Sequence, residues 1–452
     1  MSGITVIGAG LAGCEAAWQI ARRGGEVTLI EMKPGKFTPA HHSAQFAELI
    51  CSNSFKAARL ESAAGLLKEE MRRLGSLLVP CALACRVPAG GALAVDRVRF
   101  SGMVTEKVRA HPRIHCVERE VTQLPRDGVT VVATGPLTSG ALAGQIDALC
   151  GGTLRFYDAA APIVTAGSLD RDRIFAASRY GKGDGEDYLN CPMDKETYER
   201  FYDALVHAQR APLHGCDTAD PAVYEGCMPV EVMAQRGADT IRFGPLKPVG
   251  LRDPRTGHRP WAVVQLRRED AAGTLYNLVG FQTNLKFGEQ KRVFGLIPGL
   301  AHAEFTRYGV MHRNTFLNAP RVLDATCQCR REPGLFFAGQ MTGVEGYMES
   351  AASGMLAGVN ALRFAQGRPL VTPPGTTMMG ALMRWVQDGG EGDYQPMGAN
   401  FGILPPVEPH IRDKRQRYAA LSGRALADLA AWQEEALPDA RAEGEPERPA
   451  GF

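Results

Sequence analysis

Net charge is almost absent from this chain. Its 452 residues carry 51 Lys and Arg against 49 Asp and Glu, a formal +2. So small an excess does not mark a nucleic-acid binder, and any contact with RNA must come from a local patch. Long apolar runs are also missing, and none approaches the roughly 20 residues that cross a bilayer. The 11 cysteines are odd in number and irregularly spaced, which argues against a secreted disulfide framework and for reduced thiols in the cytoplasm. No basic leader or cleavage site precedes Ile4, so a cytoplasmic location is the expectation. No internal repeat recurs. The length suggests two or three domains with sizeable cores.

What is present begins at once. A short β-branched strand, Ile4-Thr-Val-Ile7, runs into Gly8-Ala9-Gly10-Leu11-Ala12-Gly13. In a strand–turn–helix unit, Gly8 permits the tight turn and Gly10 lets backbone approach a pyrophosphate. Gly13 lets the helix pack close to its strand. The helix expected from about Ala12 to Arg23 points its amides and its dipole at the phosphates. Glu31 ends the next strand, near the spacing expected of a carboxylate that binds an adenosine ribose. Strand, helix, strand and acid in that order point to FAD or NAD.

The fold class expected is α/β: a Rossmann-type FAD-binding domain interrupted by an α+β insertion domain, with a helical C-terminal segment. The first part covers residues 1–155. It includes a helix over Glu61–Leu74, with Leu66, Leu67, Met71 and Leu74 buried and Glu69, Glu70, Arg72 and Arg73 in solvent. Within it, Gly128–Gly135 reads as a buried strand ending in Ala-Thr-Gly. Thr134 and Gly135 would then pass close to the cofactor, although a core strand followed by a turn reads the same way. Residues 156–295 form the insertion, where short strands such as Ala262–Leu266 and Leu275–Val279 mix with Gly/Pro turns and charges. Nucleotide-domain character returns over 296–368. There Leu335–Gly339 is an apolar strand, Gln340–Gly346 a Gly-rich loop, and Met348 opens a helix of small residues. Gly339, Gln340 and Gly346 are expected at the cofactor, and this second signature narrows the ligand to FAD. Residues 369–452 hold a helical run, Asp413–Leu437, and an acidic tail.

Two cysteines stand out by context. Cys51 opens a polar Cys-Ser-Asn-Ser cluster after an apolar stretch, and Cys227 sits beside Gly226 among carboxylates. On chemistry alone, a single cysteine is more often a small buried hydrophobe than a reactive thiol. Cys81/Cys85 and Cys327/Cys329 invite zinc, but the second pair has one intervening residue and no matching His; no metal is expected.

Several strings together resemble one family. They are Gly8–Gly13, Phe46–Ser54, Val87–Arg97, Asp187–Met193, Glu225–Ala234, Phe243–Leu251, Gly280–Phe294, Arg307–Phe316 and Gly339–Gly354. The family is the folate- and FAD-dependent tRNA (uracil-5-)-methyltransferases, and the resemblance runs from Ile4 to about Ala361. At Phe287 the chain departs from it, since the family usually carries Trp there. The resemblance implies methylation at C5 of the T-loop uridine of tRNA, position 54. The carbon would come from 5,10-methylenetetrahydrofolate and the electrons from NADH or NADPH through FAD. Uracil C5 becomes nucleophilic once a thiolate adds at C6. By similarity Cys227 takes that role and Cys51 lies near flavin N5 as a base or one-carbon holder, but the two roles can be exchanged. Neither cysteine has an adjacent Lys or Arg, so any cation that activates a thiol must come from elsewhere in the fold.

The charge distribution leaves room for RNA. Residues 236–313 hold 13 Lys and Arg against 6 Asp and Glu, a local +7. Arg242, Lys247, Arg252, Arg267, Lys291 and Arg292 are the candidate RNA contacts, with a solvated basic face as the plain alternative. His312, Arg313 and Asn314 could serve flavin, folate, RNA or a capped turn. Other readings remain open: a generic flavin oxidoreductase, the same chemistry on a ribosomal RNA uridine, a flavin-dependent wobble-uridine enzyme, or a non-enzymatic RNA binder. The partners expected are tRNA and folate, with no membrane.

Overall fold

The computed structural model describes residues 3–38, 40–212, 228–389 and 394–438. Its first sheet has five parallel strands in the order Leu335–Phe337, Val129–Val132, Ile4–Ile7, Val27–Glu31 and Ile114–Glu118. A parallel sheet covered on both faces reads as continuous apolar sequence, and Val129–Val132 is buried at every position. The strand at 335 lies beside the one at 129, so the late segment returns to the sheet in which the chain began.

The first helix, Leu11–Ala21, begins one residue before the expected start and ends two before the expected end. The early stop follows from Gly24, whose φ of +86° turns the chain into the next strand. The small-residue helix, Tyr347–Ala365, crosses it at very short range. A Cβ on Gly354 would stand 2.1 Å from the Ala12 carbonyl oxygen, and one on Gly358 would stand 2.4 Å from that of Ala16. Only glycine permits that approach, which brings both helix starts to the same end of the sheet.

A second, antiparallel sheet has six strands in the order Phe175–Ala176, Tyr188–Met193, Ala262–Arg268, Leu275–Leu278, Ile163–Thr165 and Phe305–Arg307. Its last strand lies beyond residue 295, where the insertion was expected to end. It has its own apolar core, including Val264, Leu266, Tyr276 and Leu278. A two-stranded ribbon, Thr153–Ala159 with Met311–Leu317, pairs the segments that enter and leave this unit. A third, three-stranded sheet contains Ser54–Ala57, directly after Cys51.

The helix expected over 61–74 is Ala63–Arg73, capped by Ser62, which accepts from the Gly65 amide at 3.1 Å. Leu66, Leu67, Met71 and Leu74 are buried as expected. Glu69 and Glu70, both expected in solvent, are buried: Glu69 beside Arg72 and Arg73, which donate to it, and Glu70 completely. The Glu70 carboxyl oxygens accept the amides of Met378 and Met379 at 2.7 and 2.8 Å, at the start of the helix Met378–Asp388. Those amides have no carbonyl one turn back, and Glu70 supplies the missing acceptor. Asp413 likewise caps the long C-terminal helix Lys414–Ala436 by accepting from Gln416 N. Among the described residues no helix is long and apolar enough to cross a membrane.

Candidate functional site

A cavity of about 400 Å³ opens at the carboxyl ends of the first sheet's strands, where ligands of open α/β sheets bind. Gly8, at φ +97°, makes the turn out of the first strand, and a Cβ there would lie 2.6 Å from the Ala133 carbonyl oxygen. Gly13 meets the Gly8 carbonyl oxygen so closely that a Cβ would stand 1.8 Å from it. At Gly10 a Cβ would meet nothing among the described residues within 4 Å, and the residue borders the cavity. The first and third glycines thus serve packing, while the second leaves backbone open to a ligand.

Leu11 and Ala12 follow Gly10 along the wall, at the positive end of the first helix. Ala9 is buried outside the wall, and its amide donates to Glu31 Oε2 at 2.7 Å. Glu31 Oε1 accepts from the Lys33 amide at 3.0 Å, so both carboxylate oxygens are oriented at the end of their strand, on the cavity wall. Thr134 and Gly135 form the opposite lip, with the Thr134 hydroxyl 2.6 Å from that of Thr138. Gly339, Gln340 and Gly346 close the far side. Gln340 Nε2 donates to Glu345 Oε2 at 2.9 Å, and Gly346 starts the small-residue helix at φ +129°. The cradle fits a dinucleotide, because a Cβ at Gly10 would fill the space that a pyrophosphate needs beside the helix amides.

Cys51 stands on the same wall, half-buried, its Sγ 3.6 Å from the Ala159 carbonyl oxygen. Residues 49–54 are clamped on several sides. Tyr347 Oη accepts the amides of Cys51 and Ser52 at 2.8 and 3.1 Å. Arg97 donates to the Leu49 carbonyl and to Glu269 Oε2, each at 2.7 Å. Arg267 donates Nε to Asn53 Oδ1 and Nη2 to Ser52 Oγ, each at 2.9 Å. Asn53 Nδ2 in turn donates to the carbonyls of Val95 and Arg268 at 2.9 and 2.8 Å.

Burial pushes the Tyr347 phenol well above its ordinary range, and Cys51 nearby adds to the shift. Glu345, also on the wall, is pushed up to about 8 by burial and by Asp158. His312 is pushed down to about 4 by burial first and by Arg307 second, which keeps its ring neutral near pH 7. His312 and Asn314 both border the cavity. Taken together, the arrangement can hold a dinucleotide and present a thiol to it from a loop held by hydrogen bonds to Tyr347, Arg97 and Arg267.

Cys227 lies outside the described residues. The candidate RNA contacts divide. Lys247, Arg252, Lys291 and Arg292 are exposed, although Arg292 is paired to Glu289 at 2.7 Å. Arg242 lies over the Trp261 ring, its Cζ 3.7 Å from the centroid. A second depression of about 570 Å³ is lined by Arg242, Trp261, Lys195, Arg255 and Arg259. Arg267 is not on the surface: only 7% of it is exposed, and its guanidinium is turned to the Cys51 loop. Its place near the end of a strand, with its side chain on the inner face, removes it from solvent. Cys81, Cys85, Cys327 and Cys329 are buried, and burial pushes the Cys81 thiol up to about 12.

Sequence reasoning missed Tyr347 and Arg97 as members of the site. Tyr347 directly follows Gly346, and Arg97 ends one of the resembling strings, so both were within sight of the motifs but carried no role.

A family described as glucose inhibited division protein A matches residues 3–369. A protein of Geobacter sulfurreducens named methylenetetrahydrofolate--tRNA-(uracil-5-)-methyltransferase TrmFO is 57% identical over 429 residues, covering 95% of this chain and 98% of its own. A protein of the same name from Lactiplantibacillus plantarum is 58% identical over 435 residues, covering 96% of this chain and 98% of its own. Among solved structures, GidA of Aquifex aeolicus superposes with a TM-score of 0.68 at 15% identity, over 98% of this chain and 74% of that one. That likeness shows the fold.

Proposed function

The chain belongs to the glucose inhibited division protein A family and, within it, to the methylenetetrahydrofolate–tRNA-(uracil-5-)-methyltransferases; from that premise we propose that it makes 5-methyluridine at position 54 in the T loop of tRNA. Its cofactors are FAD and 5,10-methylenetetrahydrofolate, with NADH or NADPH as the reductant and the cytoplasm as its place of work. The observation that carries the reading is one cavity bordered by Gly10, Glu31 and Gly339 on one side and by Cys51 on the other. A plain electron-transfer flavoprotein has no use for a thiol fixed at that wall.

Bound flavin supplies the electrons and folate the one-carbon unit. Gly10 and the amides that follow it hold the pyrophosphate, and Glu31 takes the ribose hydroxyls. The start of Tyr347–Ala365, on the cavity wall, would favour negative charge on a bound flavin. Cys227 adds to C6 of the uracil, which makes C5 nucleophilic, while Cys51 works at the cofactor as base or one-carbon holder. Exposed Lys247, Arg252, Lys291 and Arg292, with Arg242 stacked on Trp261, take the RNA backbone.

The test is direct. The purified protein should be yellow and, given methylenetetrahydrofolate, NADPH and unmodified tRNA, should form 5-methyluridine in the T loop. Cys227→Ala should abolish product and keep FAD. Product formed from S-adenosylmethionine without folate would overturn the mechanism, and product in ribosomal RNA alone would overturn the substrate.

A further inference from the structure

The second sheet turns two unlike faces to its surroundings. Along Ala262–Arg268 the residues Ala262, Val264 and Leu266 enter that unit's own core, so Val263, Gln265 and Arg267 must point the other way. Arg267 pairs with Asn277, Asn277 with Ile163, and Ile163 with Arg307, which places all four in one row on one face. This is the face that meets the Cys51 loop. Asn277 is 3% exposed, and its Nδ2 and the Nε and Nη2 of Arg307 are buried with no hydrogen-bond partner among the described residues. Around the apolar Ile163, the sheet therefore presents three side chains with buried donors, those of Arg267, Asn277 and Arg307, on the face that meets the thiol loop.

Arg267 is the member of the row that reaches the loop. A buried guanidinium is costly to desolvate, and the fork here donates to two neutral oxygens on the residues that follow the thiol, Ser52 Oγ and Asn53 Oδ1. A phosphate contact needs an exposed fork, which Arg267 lacks. We infer that Arg267 is a positioning residue for Cys51: it ties the thiol loop to the second sheet, so the thiol's place at the cofactor depends on where that sheet sits. Tyr347 holds the same two residues through their amides from the first sheet's side. The loop is thereby fixed between the unit that carries the dinucleotide signature and the unit that carries the exposed basic residues. The inference rests on the proposed methyltransferase reading for its activity arm alone.

The experiment uses the full-length, FAD-loaded protein with Arg267→Met, Arg267→Lys and Ser52→Ala. Three quantities are read: kcat and KM with tRNA, tRNA affinity against salt, and the rate at which iodoacetamide alkylates Cys51, followed by peptide mass spectrometry. Arg267→Met should leave tRNA affinity and its salt slope unchanged and lower kcat by about 100-fold, the order expected when a reacting group is displaced by about 1 Å. Arg267→Lys, which keeps the charge and loses the fork, should recover part of that loss. Ser52→Ala should lower kcat less than Arg267→Met, and all three should change the Cys51 alkylation rate while FAD stays bound. Weaker tRNA binding with a shallower salt slope and an unchanged kcat would make Arg267 an RNA contact and overturn the inference. Unchanged kcat and alkylation across the set would overturn it too. If the wild type makes no 5-methyluridine, the functional reading fails, and the alkylation arm still decides the role of Arg267.

Discussion

The two glycines that flank the start of the first helix should fail in different ways when replaced by alanine. At Gly13 the added Cβ would stand 1.8 Å from the Gly8 carbonyl oxygen and 2.9 Å from its carbon. Reaching the 3.4 Å of ordinary contact requires the helix to move off the strand, because the opposing atoms are backbone. Overpacking of this kind costs about 1–3 kcal/mol, against about 1 kcal/mol gained from alanine's helix propensity. Gly13→Ala should therefore lower the stability of the apoprotein by up to about 2 kcal/mol. It should also weaken FAD by roughly tenfold or more, since the amides facing the pyrophosphate move with the helix. At Gly10 the Cβ meets no atom of the described residues within 4 Å, and the residue's φ of −71° is open to alanine. Gly10→Ala should leave the apoprotein's unfolding midpoint unchanged and still lose FAD, because its methyl occupies ligand space. Urea unfolding of both apoproteins, with FAD titrations followed by fluorescence quenching, separates the cases. Equal destabilisation by the two variants, or wild-type FAD affinity in Gly10→Ala, would refute the division of labour among the glycines.

Lys247→Ala, Arg252→Ala and Lys291→Ala should each weaken tRNA binding irrespective of sequence and reduce the log–log salt slope by about 1; slopes unchanged in all three would move the RNA face elsewhere. Glu70→Ala leaves the buried amides of Met378 and Met379 without acceptors and should cost about 3 kcal/mol in chemical denaturation, against which a loss below about 0.5 kcal/mol would count. His312 is held neutral by burial, with Arg307, His41 and His42 as its cationic or titrating neighbours. Its folded pKa is lowered to about 4, so its contribution to stability is complete above the unfolded value of about 6.5 and is lost as pH falls through 4. His312→Asn should flatten that acid limb, and an NMR titration should show no protonation of the wild-type ring between pH 7 and 5.5; protonation there would refute the assignment.

Local signals proved sufficient wherever the interacting parts lie close in the chain. The glycine turn, the first helix and Glu31 fall within one strand–helix–strand unit, and backbone geometry dictates which residue each position accepts. Valine runs such as Val129–Val132 declared a covered parallel strand because both faces demand apolar side chains. The amphipathic pattern of Ala63–Arg73 placed Leu66, Leu67 and Met71 correctly and misplaced Glu69 and Glu70. A carboxylate looks solvated until a helix start 308 positions away arrives to use it.

By itself the sequence determined the dinucleotide signature, its return after residue 335, the two distinctive cysteines and the family they point to. These depend on residue type and short spacing, which are written in order along the chain. Tertiary structure alone decided that Arg267 turns inward to the Cys51 loop, 215 positions from Ser52, and that Tyr347 caps the Cys51 amide across 296 positions. Contacts over such separations leave no periodicity to read. Which arginine meets solvent and which meets a thiol loop depends on which face of a sheet packs against which neighbour, and only the folded chain brings those faces together.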